Sequence, residues 1–397
     1  MDVNESKKKA CAEVDRLADM LIAVSHDIHD HPEENFAEHH AHDALTRAIE
    51  EAGLTPTRGA FGQPTGFAAT AGHEGPTVAV LLEYDALPGL GHACGHNIIA
   101  AAGLGAGLAA ATLADDLAGR VMILGTPAEE GGGGKVLMAQ QGAFEGVDAA
   151  LMVHPADRDL REMTTIAIQR LEVTYTGESA HAAAFPWKGR NALDAAVLGY
   201  TAVGALRQHM RSDERVHGIF TDGGDKPNIV PARAAMYWYV RSGTLERLEP
   251  LKARVLDALR AGALATGCEI DSRWLEPAYA DLRSNRVLED LYAANTAALG
   301  RPLLTPTDDV RVCGSTDMGN VSYMVPSIHP MIAVAPEGVG IHTPDFAQFA
   351  AAPAGDSAVV DGAKAMAMTV IDLWSDHAML GRVQETFAAD MASRPQL

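Results

Sequence analysis

The chain has 397 residues, too many for one ordinary core, since single cores stop growing at about 250–300 residues and longer chains divide into domains. Hydrophobic residues at 47% and charged residues at 21% form a globular balance that excludes wholesale disorder. Lys plus Arg number 31 against 52 Asp plus Glu, and the resulting net charge of −21 argues against nucleic acid and anionic membrane surfaces as partners.

The four cysteines, Cys11, Cys94, Cys268 and Cys313, are scattered, unlike the dense pattern of a disulfide-stapled secreted domain, so a reducing, cytoplasmic setting is expected. The N-terminus is charged, and Leu21 to Val24 is far too short for a signal peptide's apolar region. The longest apolar run, Ile98 to Ala111, is short of the ~18 residues of a membrane span and reads as a buried helix.

In chain order the patterning predicts helices over 15–28 and 42–52, a strand over 77–84, a helix over 97–113, and strands over 120–125 and 149–153. Strands separated by helices imply an α/β catalytic domain with a mixed, largely parallel sheet flanked by helices, whose ligands gather outside the carboxyl ends of the strands. The rhythm then changes: strand 167–176, helix 192–208, strand 233–241, helix 248–265 and strand 269–275 read as a small α+β unit. A helix over 285–298, a strand over 331–335 and a helix over 358–374 return to the first pattern. The expected division is 1–165 and 285–397 for one discontinuous domain, with 166–284 inserted into it.

Three segments carry chemistry at strand ends. Gly91-His92-Ala93-Cys94-Gly95-His96 sets a thiol and an imidazole two residues apart in a glycine-flexed loop, where both can turn onto one metal ion. A buried structural Cys–His pair explains that segment alone equally well. Pro127-Ala128-Glu129-Glu130 is followed by four glycines; in extended backbone the two carboxylates would point to opposite sides, one free to bind metal and the other to act as general base. A solvated acidic turn is the plainer explanation, weakened by glycines that let the chain approach an ion or substrate closely. His154 follows a third apolar strand, and His342 follows a fourth. A lone core histidine is commonplace, but several metal-type ligands at one sheet edge are hard to explain as packing. Two nucleotide-binding look-alikes fail in context: Gly103-Leu104-Gly105-Ala106-Gly107 lies inside a helical pattern, and Gly134-Lys135 is followed by Val136 with Glu129 where a phosphate loop needs its first glycine.

These segments, with His31-Pro32-Glu33, Asp85-Ala86-Leu87-Pro88-Gly89, Ala180-His181-Ala182-Ala183 and Gly189-Arg190-Asn191-Ala192-Leu193-Asp194-Ala195, resemble in order the aminoacylase and carboxypeptidase family of two-metal amidohydrolases of peptidase clan MH. Gly314-Ser315-Thr316-Asp317-Met318-Gly319 and Leu87 to His92 are most similar to the branch of p-aminobenzoyl-glutamate hydrolase and Xaa-Arg type dipeptidases, which also holds N-acyl and auxin-conjugate amidohydrolases. Asn97 departs from the branch, most of which has Asp there, and so removes a carboxylate able to support a metal ligand.

The resemblance implies two divalent ions, zinc or manganese with cobalt able to substitute, held by Cys94, His96, Glu130, His154 and His342, with Glu129 as general base and Asp85 orienting a ligand. It implies that the inserted unit is a lid and homodimerisation domain, in which His181 stabilises the oxyanion in cis or across the dimer, Asn228 holds the substrate and Arg241 grips a substrate carboxylate. A surface salt bridge is the plainer role for Arg241. The implied reaction is hydrolysis of the amide bond of an N-acyl or N-aroyl amino acid or a dipeptide by metal-activated water. Two competing readings are a metal-free cysteine hydrolase using Cys94 and a non-catalytic binding protein on the same scaffold.

Overall fold

The run Thr-Val-Ala-Val-Leu-Leu becomes the strand Thr77–Leu82, buried at every residue, because strands covered on both faces are apolar throughout and do not alternate. It lies inside a six-stranded sheet whose spatial order is Thr57–Arg58, Phe67–Ala71, Arg120–Gly125, Thr77–Leu82, Ala149–Leu151 and Ser327–Ile328. The last four run parallel, and the first two add antiparallel at one edge. The architecture is therefore a mixed, largely parallel α/β sheet. The computed structural model describes residues 2–307 and 313–392. The chain divides into two compact units, one taking the chain to Thr164 and again from Leu282, the other taking Thr165–Asp281.

Successive side chains of the central strand go to opposite cores, as the pleat requires. Val78, Val80 and Leu82 pack with Leu21, Leu104 and Val370 of the helices Val3–Asp30, His96–Ala111 and Pro353–Ser375. Ala79 and Leu81 face the other way, toward Met138, Phe144 and Met318. The His96–Ala111 helix is buried along its length except at Ala111, and its glycines are notches. A Cβ at Gly103 would stand 2.8 Å from Leu82, at Gly105 2.6 Å from Leu21, and at Gly107 2.3 Å from Ile123. The glycine repeat thus serves close packing between a sheet and two helices.

Asn97 belongs to the same packing. Its amide donates to Ser25 Oγ and to the Ala350 carbonyl, both at 2.9 Å, so it ties neighbouring helices together.

Two expectations need correction. The strand predicted over 149–153 stops at Leu151, and His154 lies instead in the short strand His154–Ala156, which pairs in parallel with Met331–Ala333 in a separate ladder. The strand predicted to 84 ends at Leu82, which leaves Glu83 and Asp85 in the loop beyond it. Among the described residues no helix is long and apolar enough to cross a membrane.

The second unit is an antiparallel sheet ordered Glu269–Tyr279, Ala167–Thr176, Arg233–Ser242 and Arg215–Asp222. Leu171, Val173, Trp238 and Val240 meet Leu251, Val255 and Leu259 of the helix Leu245–Thr266 in its core. Both of its long helices begin on side-chain caps: Asn191 Oδ1 accepts from the Leu193 and Asp194 amides, and Thr244 Oγ1 accepts from Arg247. The edge strand Arg215–Asp222 was not predicted, because only Val216 on it is buried and no alternation marks it, while Ile219 and Phe220 stand 61% and 41% exposed.

Candidate metal centre

The parallel strands Thr77–Leu82 and Arg120–Gly125 end side by side, and the turns that follow deliver Glu83, Asp85, Glu129 and Glu130 to one edge of the sheet. Cys94 and His96 reach the same edge through a left-handed turn at Gly95, where φ is 78° and a Cβ would collide with Pro155 at 2.8 Å. His342 sits in the left-handed region without being glycine, at φ 64°, and is fixed by its amide donating to the Ala93 carbonyl at 2.8 Å. Strain of that kind persists only where the surroundings over-determine it, as at ligand sites.

Hydrogen bonds orient both buried imidazoles. His96 Nδ1 lies 3.0 Å from Asp85 Oδ1, while Asp85 Oδ2 accepts from the Glu130 amide at 2.9 Å. His154 Nδ1 donates to the Pro155 carbonyl at 2.7 Å. With each Nδ1 engaged as donor, each Nε2 is turned to the cluster, where it can ligate a metal ion once it has given up any proton. His154 Nε2 is 3.4 Å from Cys94 Sγ, and His342 Nε2 is 3.3 Å from Glu130 Oε1.

Adjacent carboxylates were expected to diverge. They converge instead, with Glu129 Oε2 and Glu130 Oε1 4.0 and 3.9 Å from His96 Nε2. The reason is local: Ala128 has φ 59°, and Glu129-Glu130 lie in a turn.

The electrostatics favour cations. Burial, then Glu83 and Glu130, push the Glu129 carboxyl well above its usual range. Burial, with Glu130 beside it, pushes the Cys94 thiol up. Burial opposes charge on His96, yet Asp85 and Cys94 outweigh it and hold the imidazole protonated well above its ordinary range. Burial, then the nearby His96, lowers His154 to about 4. Protons thus occupy positions where positive charge is wanted, and His96 Nε2 and Glu83 Oε2 are buried without a hydrogen-bond partner. Cys94, His96 and His154 offer donor atoms within 4.8 Å of one another, as do Cys94, Glu130 and His342, and Glu83, His96 and Glu129. Two sets sharing one thiol, with nitrogen and carboxylate donors, fit a pair of borderline divalent ions.

Three buried charges beside the cluster were not singled out from the sequence. Lys135 Nζ lies 2.5 Å from Glu83 Oε1 and 2.7 Å from Asp317 Oδ1, with all three side chains fully buried. Burial opposes charge on Lys135, but Asp317 and Glu83 outweigh it and keep the ammonium. Burial raises Asp317 to about 6 despite Lys135. Their partnership joins residues 52 and 182 positions apart in the chain, a distance that no local motif spans.

His181, Asn228 and Arg241 belong to the other unit. His181 and Asn228 lie on hydrogen-bonded segments: the Ala182 amide donates to the Asn228 carbonyl at 3.0 Å, and both residues are exposed. His181 Nδ1 accepts from the Ala183 and Ala184 amides at 3.3 and 3.2 Å, which leaves Nε2–H as an outward donor. Arg241 is half-buried, with its guanidinium 5.7 Å from the centre of the Tyr239 ring.

Comparison with known proteins places this geometry in a family. The chain is 39% identical to Xaa-Arg dipeptidase of Mus musculus, over 96% of this chain and 92% of that one, and 29% identical to a p-aminobenzoyl-glutamate hydrolase chain of Escherichia coli, over 91% and 90%. Among solved structures, the YXEP protein of Bacillus subtilis, described as a dinuclear metal-binding peptidase, shares the fold at a TM-score of 0.69 and 20% identity, covering 90% of this chain and 99% of its own. An aminobenzoyl-glutamate utilization protein of Klebsiella pneumoniae does so at 0.72 and 18%, covering 94% and 99%. Residues 79–371 match the peptidase family M20/M25/M40, and the chain is a member of that family of amide- and peptide-bond hydrolases.

Proposed function

We propose that this protein hydrolyses the amide bond of an N-acyl or N-aroyl amino acid or a dipeptide, using two divalent metal ions, zinc or manganese with cobalt able to substitute. The observation that carries the reading is the pair of donor sets meeting at Cys94, with His96 and His154 on one side and Glu130 and His342 on the other. The mouse Xaa-Arg dipeptidase and the Escherichia coli p-aminobenzoyl-glutamate hydrolase supply the substrate class.

Cys94, His96, Glu130, His154 and His342 would hold the ions, with Asp85 fixing the His96 ring. Bound there, the ions would polarise the scissile carbonyl, lower the pKa of the attacking water and bring Glu129 back to its ionised form. Glu129 takes the proton of that water and delivers it to the departing nitrogen. His181, with Nε2–H free to donate, stabilises the oxygen on which negative charge develops. Asn228 holds the substrate and Arg241 its carboxylate.

The Thr165–Asp281 unit serves as lid and homodimerisation domain in this proposal, supported by the exposed Ile219 and Phe220 on its edge strand. We place the protein in the cytoplasm, consistent with Cys11, Cys94 and Cys268 standing as free thiols. A cysteine nucleophile is disfavoured, because burial and Glu130 raise the Cys94 thiol whereas a reactive thiolate needs a lowered one. Chelation is expected to abolish hydrolysis of p-aminobenzoyl-glutamate, basic dipeptides and N-acyl amino acids alike, and zinc, manganese or cobalt to restore whichever is the substrate. Full activity in metal-free protein would end the proposal.

A further inference from the structure

Six of the chain's 16 histidines fall between His26 and His42. Three of them are committed elsewhere: His26 to Asp356 at 2.7 Å, His29 to the Ala347 carbonyl at 2.8 Å and His42 to the Thr65 carbonyl at 2.9 Å. His31 and His40 turn toward each other instead. Their rings stack with centroids 4.2 Å apart, and both converge on one carboxylate. His40 Nε2 is 2.8 Å from Asp27 Oδ2, and His31 Nδ1 lies 2.9 Å from the Asp27 carbonyl oxygen and 3.3 Å from Asp27 Oδ1.

We propose that Asp27, His31 and His40 form a further metal site, outside the catalytic cluster, for a late divalent transition ion such as zinc, nickel or copper. One donor atom from each lies within 4.8 Å of the other two. A tetrahedral ion with bonds of about 2.0–2.1 Å needs donors about 3.4 Å apart, so the contraction is small. Side-chain rotation can supply it, since the three side chains are 43%, 56% and 40% exposed. Two imidazoles and one carboxylate suit late divalent ions in preference to magnesium or calcium.

The backbone around the site is already held. Glu33 accepts from the His40 amide at 2.8 Å and the Ala41 amide at 3.1 Å, and Asp27 occupies the last turn of the Val3–Asp30 helix with His31 as its cap. The site therefore joins the end of one helix to the start of His39–Glu51. The loop between them braces the turn that carries Glu129 and the loop that carries Asp85: Glu38 accepts from the Ala128 amide at 2.9 Å, a Cβ at Gly132 would strike the Phe36 ring at 2.4 Å, and the Glu33 carbonyl accepts from the Ala86 amide at 2.8 Å. An ion at Asp27, His31 and His40 clamps both ends of that brace.

The test counts zinc by equilibrium dialysis on protein that carries its full catalytic complement, comparing wild type with the His31→Gln/His40→Gln double variant. Wild type is expected to bind one equivalent more than the variant, and added zinc should raise its Tm by at least ~2 °C while leaving the variant's unchanged. Because the extra equivalent is a difference between two proteins, the count does not depend on how many ions the catalytic cluster holds. Asp27→Asn, which keeps both imidazoles, should weaken the extra zinc at least tenfold and serves if the double variant does not fold. Equal zinc uptake by wild type and double variant, or unchanged affinity in Asp27→Asn, overturns the site.

Discussion

The two units bring side chains to chemistry in opposite ways. At the sheet edge, Asp85, Cys94, His96 and His154 are buried and interlocked, with each imidazole oriented through its Nδ1 before any substrate arrives. In the antiparallel unit, His181 and Asn228 stand on the surface, and the His181 ring is held by backbone amides of its own turn. A preorganised cluster is made by the fold that buries it. An exposed histidine acquires a catalytic role only when something else closes over it, so the contrast predicts different failure modes on each side.

The largest effect should come from Glu129. Glu129→Gln should lower kcat by ~10²–10⁴ with metal content retained, whereas Glu130→Gln should lose metal, measured by elemental analysis beside steady-state rates. Exchanged phenotypes would reverse the two roles, which the near-equal distances to His96 leave to experiment.

Lys135→Met should follow. Removing the buried ammonium leaves Glu83 and Asp317 facing each other, at a cost of about 3–5 kcal/mol in denaturant unfolding. Stability within ~1 kcal/mol of wild type would mean that the triad is not the strut beneath the cluster.

On the exposed side, His181→Ala should reduce kcat by ~10²–10³ while fold and metal content stay intact. If His181 acts across a dimer, mixing His181→Ala with Glu129→Gln should regenerate activity, since one mixed site then has both wild-type residues. Proven subunit exchange without recovery would exclude action in trans.

The smallest effect concerns pH. Burial and the neighbouring Glu162 raise Glu289 from its ordinary range to about 7. A carboxyl raised in the fold favours the native state while protonated, and that contribution is lost as pH rises from about 4.5 through 7. Glu289→Gln should therefore stabilise the protein at pH 8 by on the order of 2 kcal/mol and flatten the profile above pH 5. An unchanged profile would show that the carboxyl ionises freely.

Legibility followed the range of the interactions. The strand Arg120–Gly125 and the motif around Cys94 could be read locally, because an apolar run and a glycine-flexed loop are written in consecutive residues. The Val3–Asp30 helix begins well before its predicted start, since its first turns carry Lys7, Lys8 and Lys9, and Lys7 finds its partners in other helices, Asp372 at 2.6 Å and Asn295 Oδ1 at 2.9 Å. The C-terminal helix His377–Ala392 was missed because it buries only Leu380 and Val383. The Glu83–Lys135–Asp317 triad was invisible for the same reason as the clustering of Asp27 with His40: partners meet through the fold.

The notched helix His96–Ala111 bears on how this protein would respond to random variation. Gly103, Gly105 and Gly107 touch no proposed ligand, yet any side chain there must displace Leu82, Leu21 or Ile123. Because His96 opens that helix, pushing it outward also moves a ligand, and a library screened for activity alone would score the three glycines beside the ligands themselves. Pairing the screen with a measure of folded yield would separate them, since ligand losses should leave abundance nearly intact and glycine losses should not.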